Sequence, residues 1–306
     1  MSHLITTLGS KSADDLPGVI LPHEHVFVDL RTWDQPGYGE AEAADVVAVM
    51  APEIARAREA GVVAIVEPST CGVGRRADIL RAVSEATDFP LVAPTGVYRE
   101  PWIPPWVHAA DEAALETWMV GELTGEIEGS GVQAGWIKVG AGDDGLTATE
   151  TKVLRAAARA SAVTGAAIGS HTIRGRVALA QLGVIEAAGG ASERFVWIHA
   201  HQEPEFEVHR EAAHRGAWVE YDGIGEPGTD EALVALVLRA LDAGMGDRLL
   251  LSHDRGWYDP AQPAGGTPRP YTYLSEVFLP RLSDAGVDDA TIDQVTRTNP
   301  FRAFAR

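Results

Sequence analysis

Two histidines separated by one residue, His23 and His25, stand at the end of a short apolar stretch that begins at Val19. Alternate residues of a strand point to the same side, so both rings face one way, as two ligands of one metal ion would. Imidazole nitrogen and carboxylate oxygen suit zinc, with iron, cobalt and manganese as alternatives. Four further candidate ligands lie in or directly after other apolar runs: Lys138, His171, His199 and Asp254.

Lys138 and Asp254 are the least ordinary members of this set. Lys138 lies inside the apolar segment 136–139, and Asp254 closely follows three consecutive leucines. Burial of either charge is costly unless a charged partner or a metal compensates it. A single histidine has a simpler explanation, a hydrogen bond in the core, so the metal-site prediction depends on the combination. The remaining histidines His3, His108, His209 and His214 are expected in loops or on helix surfaces, without a role.

Short β-rich apolar runs alternate with alanine-rich helical stretches along the whole chain. Continuous apolar runs are typical of strands that are covered on both faces, as in a parallel sheet. The predicted strands are 19–25, 62–68, 91–97, 135–139, 166–171, 195–199, 218–221 and 248–252. The predicted helices include 40–60, 111–128, 149–164, 176–188, 204–215 and 230–243. Thr147 with Glu150 predicts a capping box, and left-handed helix ends are expected at Gly61, Gly165, Gly216 and Gly244.

Eight such units in 306 residues predict an α/β fold, a (β/α)₈ TIM barrel forming a single domain over residues 1–306. A doubly wound open sheet is the alternative, but it normally carries a glycine-rich phosphate turn after its first strand, where this chain has His-Glu-His. In a barrel, the C-terminal ends of all strands meet at one mouth, so the six candidate ligands would converge there. Two long loops, 98–108 and 254–273, are expected at the same end.

The composition restricts the partners. A net charge of −19, from 44 acidic and 25 basic residues, disfavours nucleic acid and anionic membrane surfaces. No apolar run is long enough to cross a bilayer. The one cysteine, Cys71, excludes an internal disulfide, and the beginning of the chain lacks a secretory pattern, so we expect a soluble cytoplasmic protein.

The order HxH, Lys, His, His, Asp resembles the phosphotriesterase family of the amidohydrolase superfamily, whose members are binuclear metal hydrolases on a (β/α)₈ barrel. The resemblance covers nearly the whole chain and includes the segments His171-Thr172, Trp197-Ile198-His199 and Ser252-His253-Asp254. It implies that one divalent metal ion is held by His23, His25 and Asp254, and the other by His171 and His199. It also implies that Lys138, carboxylated by carbon dioxide, bridges the two ions. A lysine kept neutral in an apolar strand can react in this way.

The same resemblance implies the reaction. Two metal ions lower the pKa of a shared water, so that hydroxide attacks the bound ester. Asp254 would take the proton and pass it outward or to the leaving group. The segment Thr95-Gly96-Val97-Tyr98 resembles the lactonase-like members, so Tyr98 is expected beside the hydroxide.

Two positions depart from the family pattern. Gly223 follows Asp222 where lactonase-like members commonly have arginine, which weakens an assignment to acyl-homoserine lactones. The family often has an acidic residue two or three positions after the sixth-strand histidine, whereas this chain has His201 two positions after His199. His201 is therefore a candidate proton relay, and a hydrogen-bonded loop histidine is the alternative.

The long loops supply candidate substrate contacts. Arg99 and Arg255 could bind a carboxylate or phosphate in bidentate fashion, and Trp102 and Trp257 could enclose an apolar group. Trp106 lies in the first of these loops. Solvated arginines and core tryptophans are the alternatives.

The combined prediction is a metal-dependent hydrolase of a small ester, with a lactone as the first choice of substrate. A phosphotriesterase or an amidase on the same metal pair is the closest alternative. A non-catalytic metal-binding barrel and a mononuclear deaminase of the superfamily remain, although Lys138 argues against the deaminase. Dimers are frequent in the family, so a homodimer is also expected.

Overall fold

The computed structural model describes residues 2–306. Eight consecutive strands pair in parallel, each with the next along the chain. They are β1 (Val19–Leu21), β2 (Val62–Val66), β3 (Leu91–Val92 with Pro94–Thr95), β4 (Trp136–Gly140), β5 (Ile168–His171), β6 (Phe195–Ile198), β7 (Trp218–Tyr221) and β8 (Leu249–Leu251).

The sheet closes on itself just beyond β1 and β8. The amide of Asp254 donates to the carbonyl of His23 at 3.2 Å, and the amide of His25 donates to the carbonyl of Arg255 at 2.8 Å. Two short strands, His25–Phe27 and Gly256–Tyr258, continue this pairing in parallel. The predicted (β/α)₈ barrel is therefore confirmed, and the open-sheet alternative is wrong.

Helices cover the outside of the barrel. Seven helices of nine residues or more lie between strands: α1 (Ala43–Glu59), α2 (Ala77–Thr87), α3 (Glu112–Thr124), α4 (Ala148–Thr164), α5 (Gly175–Ala187), α6 (Phe206–His214) and α7 (Asp230–Asp242). After β8 come α8 (Leu274–Phe278, continuing as Leu279–Asp284) and the segments Asp289–Asp293, Gln294–Thr298 and Asn299–Phe304. The chain also forms an N-terminal hairpin, Leu4–Thr6 with Gly9–Lys11, and a short helix Pro105–Ala109 in the loop after β3. Short 3₁₀ turns lie at Ala13–Asp15, Ser192–Arg194, Ala200–Gln202, Gly246–Arg248 and Pro263–Gly265.

Strand alternation divides the core into an outer and an inner layer. The inner layer fills the barrel and includes Trp136 and Trp218, with Phe304 packed against Trp136 at 5.1 Å between ring centroids. Residues two positions further along a strand lie on the same face. Lys138 lies two positions after Trp136, and Glu220 lies two positions after Trp218. Both polar side chains therefore lie above this apolar layer, toward the mouth of the barrel.

The helix-end predictions are confirmed. Thr147 Oγ1 accepts from the amide of Glu150 at 3.1 Å, and Glu150 Oε2 accepts from the amide of Thr147 at 2.8 Å, which completes the capping box. The glycines predicted at helix ends all have positive φ: Gly61, Gly165, Gly216 and Gly244.

The first strand and the setting of His209 differ from the prediction. The strand predicted from Val19 to His25 ends at Leu21, because Pro22 has no amide hydrogen to continue the ladder, and His25 begins a separate strand. His209, expected in a loop or on a helix surface, is fully buried on the inner face of α6. Its ring bonds to the Tyr221 hydroxyl at 2.8 Å and to the Glu203 carbonyl at 2.9 Å, which satisfies both nitrogens.

Within residues 2–306, every helix falls short of the length and apolar character needed to cross a membrane.

Candidate metal centre

A cavity of about 150 Å³ opens at the C-terminal ends of the strands, and all six predicted ligands line it. The imidazoles form a continuous group, with centroid distances of 5.6 Å for His23 and His25, 5.2 Å for His23 and His199, and 4.5 Å for His171 and His199. A groove of about 670 Å³ beside α6 and α7 is larger, but none of the six residues lies in it. The small cavity is therefore the candidate site.

Backbone conformation turns two of these side chains over the mouth. His199 directly follows β6 with φ of 65°, and Asp254 lies after β8 with φ of 56°. Left-handed conformations are uncommon for residues other than glycine, and they are found where surrounding contacts hold them in place. Both residues thus leave the strand direction where their side chains enter the cavity.

Carboxylates behind the cavity orient two of the rings. Nδ1 of His23 lies 2.9 Å from Glu220 Oε1, and Nδ1 of His199 lies 2.9 Å from Asp222 Oδ1. An ionised carboxylate only accepts, so Nδ1 of His199 carries the hydrogen and its Nε2 keeps a free lone pair. Metal-binding histidines use this arrangement, in which the second ring nitrogen donates to a carboxylate or carbonyl.

The Asp254 carboxylate lies among the rings without a donor of its own. Its Oδ1 is 3.2 Å from His25 Nε2 and 3.7 Å from His23 Nε2, yet this buried oxygen accepts no hydrogen bond from any described residue. Ligand atoms of His23, His199 and Asp254 lie within 4.8 Å of one another. Several imidazoles around a carboxylate oxygen that accepts no hydrogen bond fit a divalent cation such as zinc.

Burial sets the protonation of these groups. It lowers the pKa of His23 and His171 well below the usual range, which leaves the neutral form that binds metals. Burial also opposes a charge on His25, but the neighbouring carboxylates of Asp254 and Glu67 outweigh it and raise that pKa to about 9. A divalent cation would displace this proton, because both compete for the same nitrogen lone pair.

Lys138 is only 3% exposed, and its pKa is lowered to about 8 by burial, although the carboxylates of Glu220 and Asp222 oppose the shift. A substantial neutral fraction is therefore present near pH 8. A neutral amine is the nucleophile that adds to carbon dioxide, so the side chain fits a carbamate.

Tyr98 and Trp257, predicted for catalysis and substrate contact, line the cavity. The Tyr98 hydroxyl lies 3.1 Å from His171 Nδ1, and burial raises the Tyr98 pKa to about 12. The Trp257 ring lies 5.2 Å from the His25 ring, and its indole nitrogen donates to the Asp254 carbonyl at 3.1 Å.

The other predicted substrate contacts do not line the cavity. Arg99 donates to the Glu100 carbonyl and lies 4.9 Å from the Trp102 ring, whose indole nitrogen donates to the Leu30 carbonyl. Arg255 donates to the Gly225 carbonyl and lies over the Tyr273 ring at 5.1 Å. Both guanidinium groups are thus bound to a neighbouring carbonyl and an aromatic face, outside the lining of the cavity. Trp106 packs against Trp118.

His201 lies beside the cavity and does not line it. Its Nδ1 is 3.1 Å from Asp222 Oδ1, and its ring covers Gly223, where an added Cβ would lie 2.4 Å from Nε2. The two departures from the family pattern are thus in contact, because the His201 ring occupies the space above Gly223.

The sequence interpretation gave no role to the carboxylates behind the rings. Glu220 lies inside the apolar strand β7, and Glu67 directly follows β2, where its Oε1 lies 3.7 Å from His25 Nδ1. A charge within or directly after an apolar strand is the signal that identified Lys138, and it would have found both.

Comparisons with known proteins agree with this geometry. A model of the phosphotriesterase family matches residues 2–304. The phosphotriesterase homology protein of Mycobacterium tuberculosis is 31% identical, covering 100% of this chain and 98% of that protein. The aryldialkylphosphatase of Saccharolobus solfataricus is 26% identical, covering 83% and 84%. The structure of a mutant PTE-like lactonase from Deinococcus radiodurans has a TM-score of 0.88 at 30% identity, covering 98% and 99%. The chain therefore belongs to the phosphotriesterase family, and it is a hydrolase that acts on ester bonds.

Proposed function

We propose that this protein is a binuclear metal-dependent hydrolase that opens a small, uncharged lactone or related carboxylic ester. The observation that carries the proposal is the convergence of four histidines, one lysine and one aspartate on a single cavity of about 150 Å³. His23, His25 and Asp254 would hold one divalent ion, and His171 and His199 the second. Zinc is the first candidate, with iron, cobalt and manganese as alternatives.

Lys138 would join the two ions as a carbamate. Its neutral amine adds to the carbon of carbon dioxide and releases one proton, which gives an anionic group with two oxygen ligands. Its lowered pKa of about 8 supports this step. The modification would also replace a buried cation with an anion that two metal ions neutralise.

When bound, the metal pair would activate a water molecule and polarise the ester carbonyl. Asp254 would then accept the proton of the attacking water through the carboxylate oxygen that does not bind the ion. His201 contacts Asp222, and its side chain is 16% exposed, so it offers a route from the site to solvent. The Tyr98 hydroxyl, beside His171, faces the same cavity and would orient the substrate.

The walls of the cavity support a small neutral substrate. Beyond the candidate ligands, the lining consists of Val28, Leu30, Pro68, Val73, Tyr98 and Trp257. No arginine lines the cavity, so an anionic substituent would lose hydration without gaining a guanidinium partner. A volume of about 150 Å³ is below the roughly 300 Å³ at which pockets for drug-sized ligands begin. A lactone with a short substituent fits better than a phosphotriester with bulky aryl and alkyl groups.

Phosphotriester hydrolysis is the second candidate. It is favoured by the aryldialkylphosphatase of Saccharolobus solfataricus among the relatives, and by the ability of the same metal pair to polarise a phosphoryl oxygen. We place it below lactone hydrolysis because of the cavity size.

The test uses protein grown with zinc and bicarbonate. Metal content is measured together with kcat/KM for neutral lactones of increasing chain length, an aryl ester, an amide and a phosphotriester. Two ions per chain, with short lactones far ahead of the phosphotriester, would support the proposal. The reverse order would favour the phosphotriesterase, and fewer than two ions without any turnover would refute the metal-pair mechanism.

A further inference from the structure

Glu24 stands between His23 and His25, and its carboxylate points away from the cavity that their rings line. The residue is fully buried, with 0% exposure. A buried ionised carboxylate persists only where donors surround it. The donors around Glu24 all come from the chain segment that follows β8.

Four hydrogen bonds join Glu24 to this segment. Its Oε1 accepts from Ser252 Oγ at 2.7 Å, from the His253 amide at 2.9 Å and from His253 Nδ1 at 2.5 Å. Its Oε2 accepts from the Arg255 amide at 2.7 Å. The residues immediately before and after Asp254 are therefore both bound to one carboxylate, 229 to 231 positions away in sequence.

His253 extends the connection. Its Nδ1 donates to Glu24, so its Nε2 is free to accept, and it does so from the Leu274 amide at 2.7 Å. The same carboxylate thus links the end of β8 to the beginning of α8. The segment around Asp254 is held from both sides.

Asp254 needs such support because of its backbone. Its φ of 56° lies in the left-handed region, which an aspartate occupies stably only where neighbouring contacts enforce it. Its Oδ1 receives no hydrogen bond, so the side chain does not fix its own position. Hydrogen bonds to the His23 carbonyl and from the Trp257 indole hold the backbone of Asp254 itself. Glu24 adds to them by binding the residues on both sides of Asp254.

We propose that Glu24 is a positioning residue that sets the Asp254 carboxylate between His23 and His25. The inference rests on the proposed function, in which these three residues hold one metal ion. The segment 23–25 then supplies two metal ligands directly, and its middle residue, Glu24, fixes the third ligand, Asp254, through hydrogen bonds. Glu24 itself does not contact the substrate.

The test is Glu24→Gln in the metal-loaded enzyme. The amide has nearly the shape of the carboxylate, but its NH₂ group cannot accept from the Arg255 amide, and two donors would face each other. Mutations of groups that orient metal ligands typically cost 10- to 100-fold in metal affinity or activity. We expect kcat for a lactone to fall 10- to 100-fold while KM changes by less than about twofold. We also expect a chelator to remove one of the two metal ions faster than it does from the wild type.

Glu122→Gln is the matched control. Glu122 is 5% exposed, and its carboxylate binds Arg75 and Thr95, away from the candidate ligands. This variant removes a buried carboxylate with a comparable network, so it should lower thermal stability but leave metal release and KM unchanged. A loss of metal retention in Glu24→Gln alone would show a positional role rather than a general loss of stability.

Ser252→Ala provides the second variant if Glu24→Gln does not fold. It removes one donor to Glu24 and also the acceptor of the His23 amide, so it perturbs the same network at two points. We expect faster metal release and a kcat several-fold lower at constant KM. If the wild type binds two ions and hydrolyses esters while the folded variants match it in both assays, the positioning role is wrong. If the wild type itself binds fewer than two ions, the proposed function fails instead.

Discussion

Replacement of Lys138 by methionine should stabilise the metal-free protein while abolishing its activity. Burial lowers the pKa of this lysine from its usual 10.5 to about 8. At roughly 1.4 kcal/mol for each tenfold change in proton affinity, the buried ammonium costs about 3 kcal/mol at pH 7. Methionine has a similar length and no charge, so the variant avoids this cost.

The expected gain can be measured by thermal unfolding after chelation. An unfolding entropy of roughly 2.1 cal/mol/K per residue over 306 residues converts about 3 kcal/mol into an increase of about 5 °C in Tm. The lysine is more readily deprotonated in the folded chain, so wild-type stability rises between pH 8 and pH 10.5. The advantage of the variant should therefore fall to about half by pH 9.5.

Lys152→Met is the matched control. The Lys152 ammonium donates to the carbonyls of Val107, His108 and Ala110 at 2.8, 3.0 and 2.6 Å. Its removal leaves these acceptors without a donor, so this variant should be less stable than the wild type. If metal-free Lys138→Met is no more stable than the wild type at pH 7, or gains stability independently of pH, our account of the buried lysine is wrong. Retained ester hydrolysis in Lys138→Met would refute its role in the metal pair.

Asp222→Asn should weaken metal binding by about 10- to 100-fold. The carboxylate accepts from both His199 Nδ1 and the His199 amide, and a side-chain amide has only one oxygen to accept with. A competition titration with a chromogenic chelator measures the affinity, and an unchanged value would contradict the prediction. Arg255→Ala should change KM for a neutral lactone by less than about threefold in steady-state assays, because its guanidinium binds the Gly225 carbonyl and does not line the cavity. A tenfold rise in KM would show that Arg255 does contact the substrate. Burial raises the pKa of Cys71 to about 11, so at pH 8 only about one thiol in a thousand is ionised. A disulfide reagent should therefore react about a hundredfold more slowly with the native than with the unfolded protein. Comparable rates would show that the thiol is accessible and ionised.

The sequence alone determined the barrel and the six candidate ligands. Parallel strands that are buried on both faces have nearly continuous apolar sequences, so their number and order could be read directly. Since the C-terminal ends of such strands meet at one mouth, His171, His199 and Asp254 could be brought together without any knowledge of distances. The two-residue period of a strand also requires Lys138 to lie on the same face as Trp136, although which face is the inner one follows only from the structure.

Only the tertiary structure decided what surrounds the ligands. The partners of the rings come from other strands, as with Glu220, 197 positions from His23, and Ser69, 44 positions from His25. A local sequence pattern carries no information about such pairs, because the closure of the barrel creates them. Loop side chains were equally undetermined, since their direction depends on which carbonyls and aromatic faces are within reach. Arg99 and Arg255 therefore do not line the cavity, although the chemistry of a guanidinium would have suited a substrate contact.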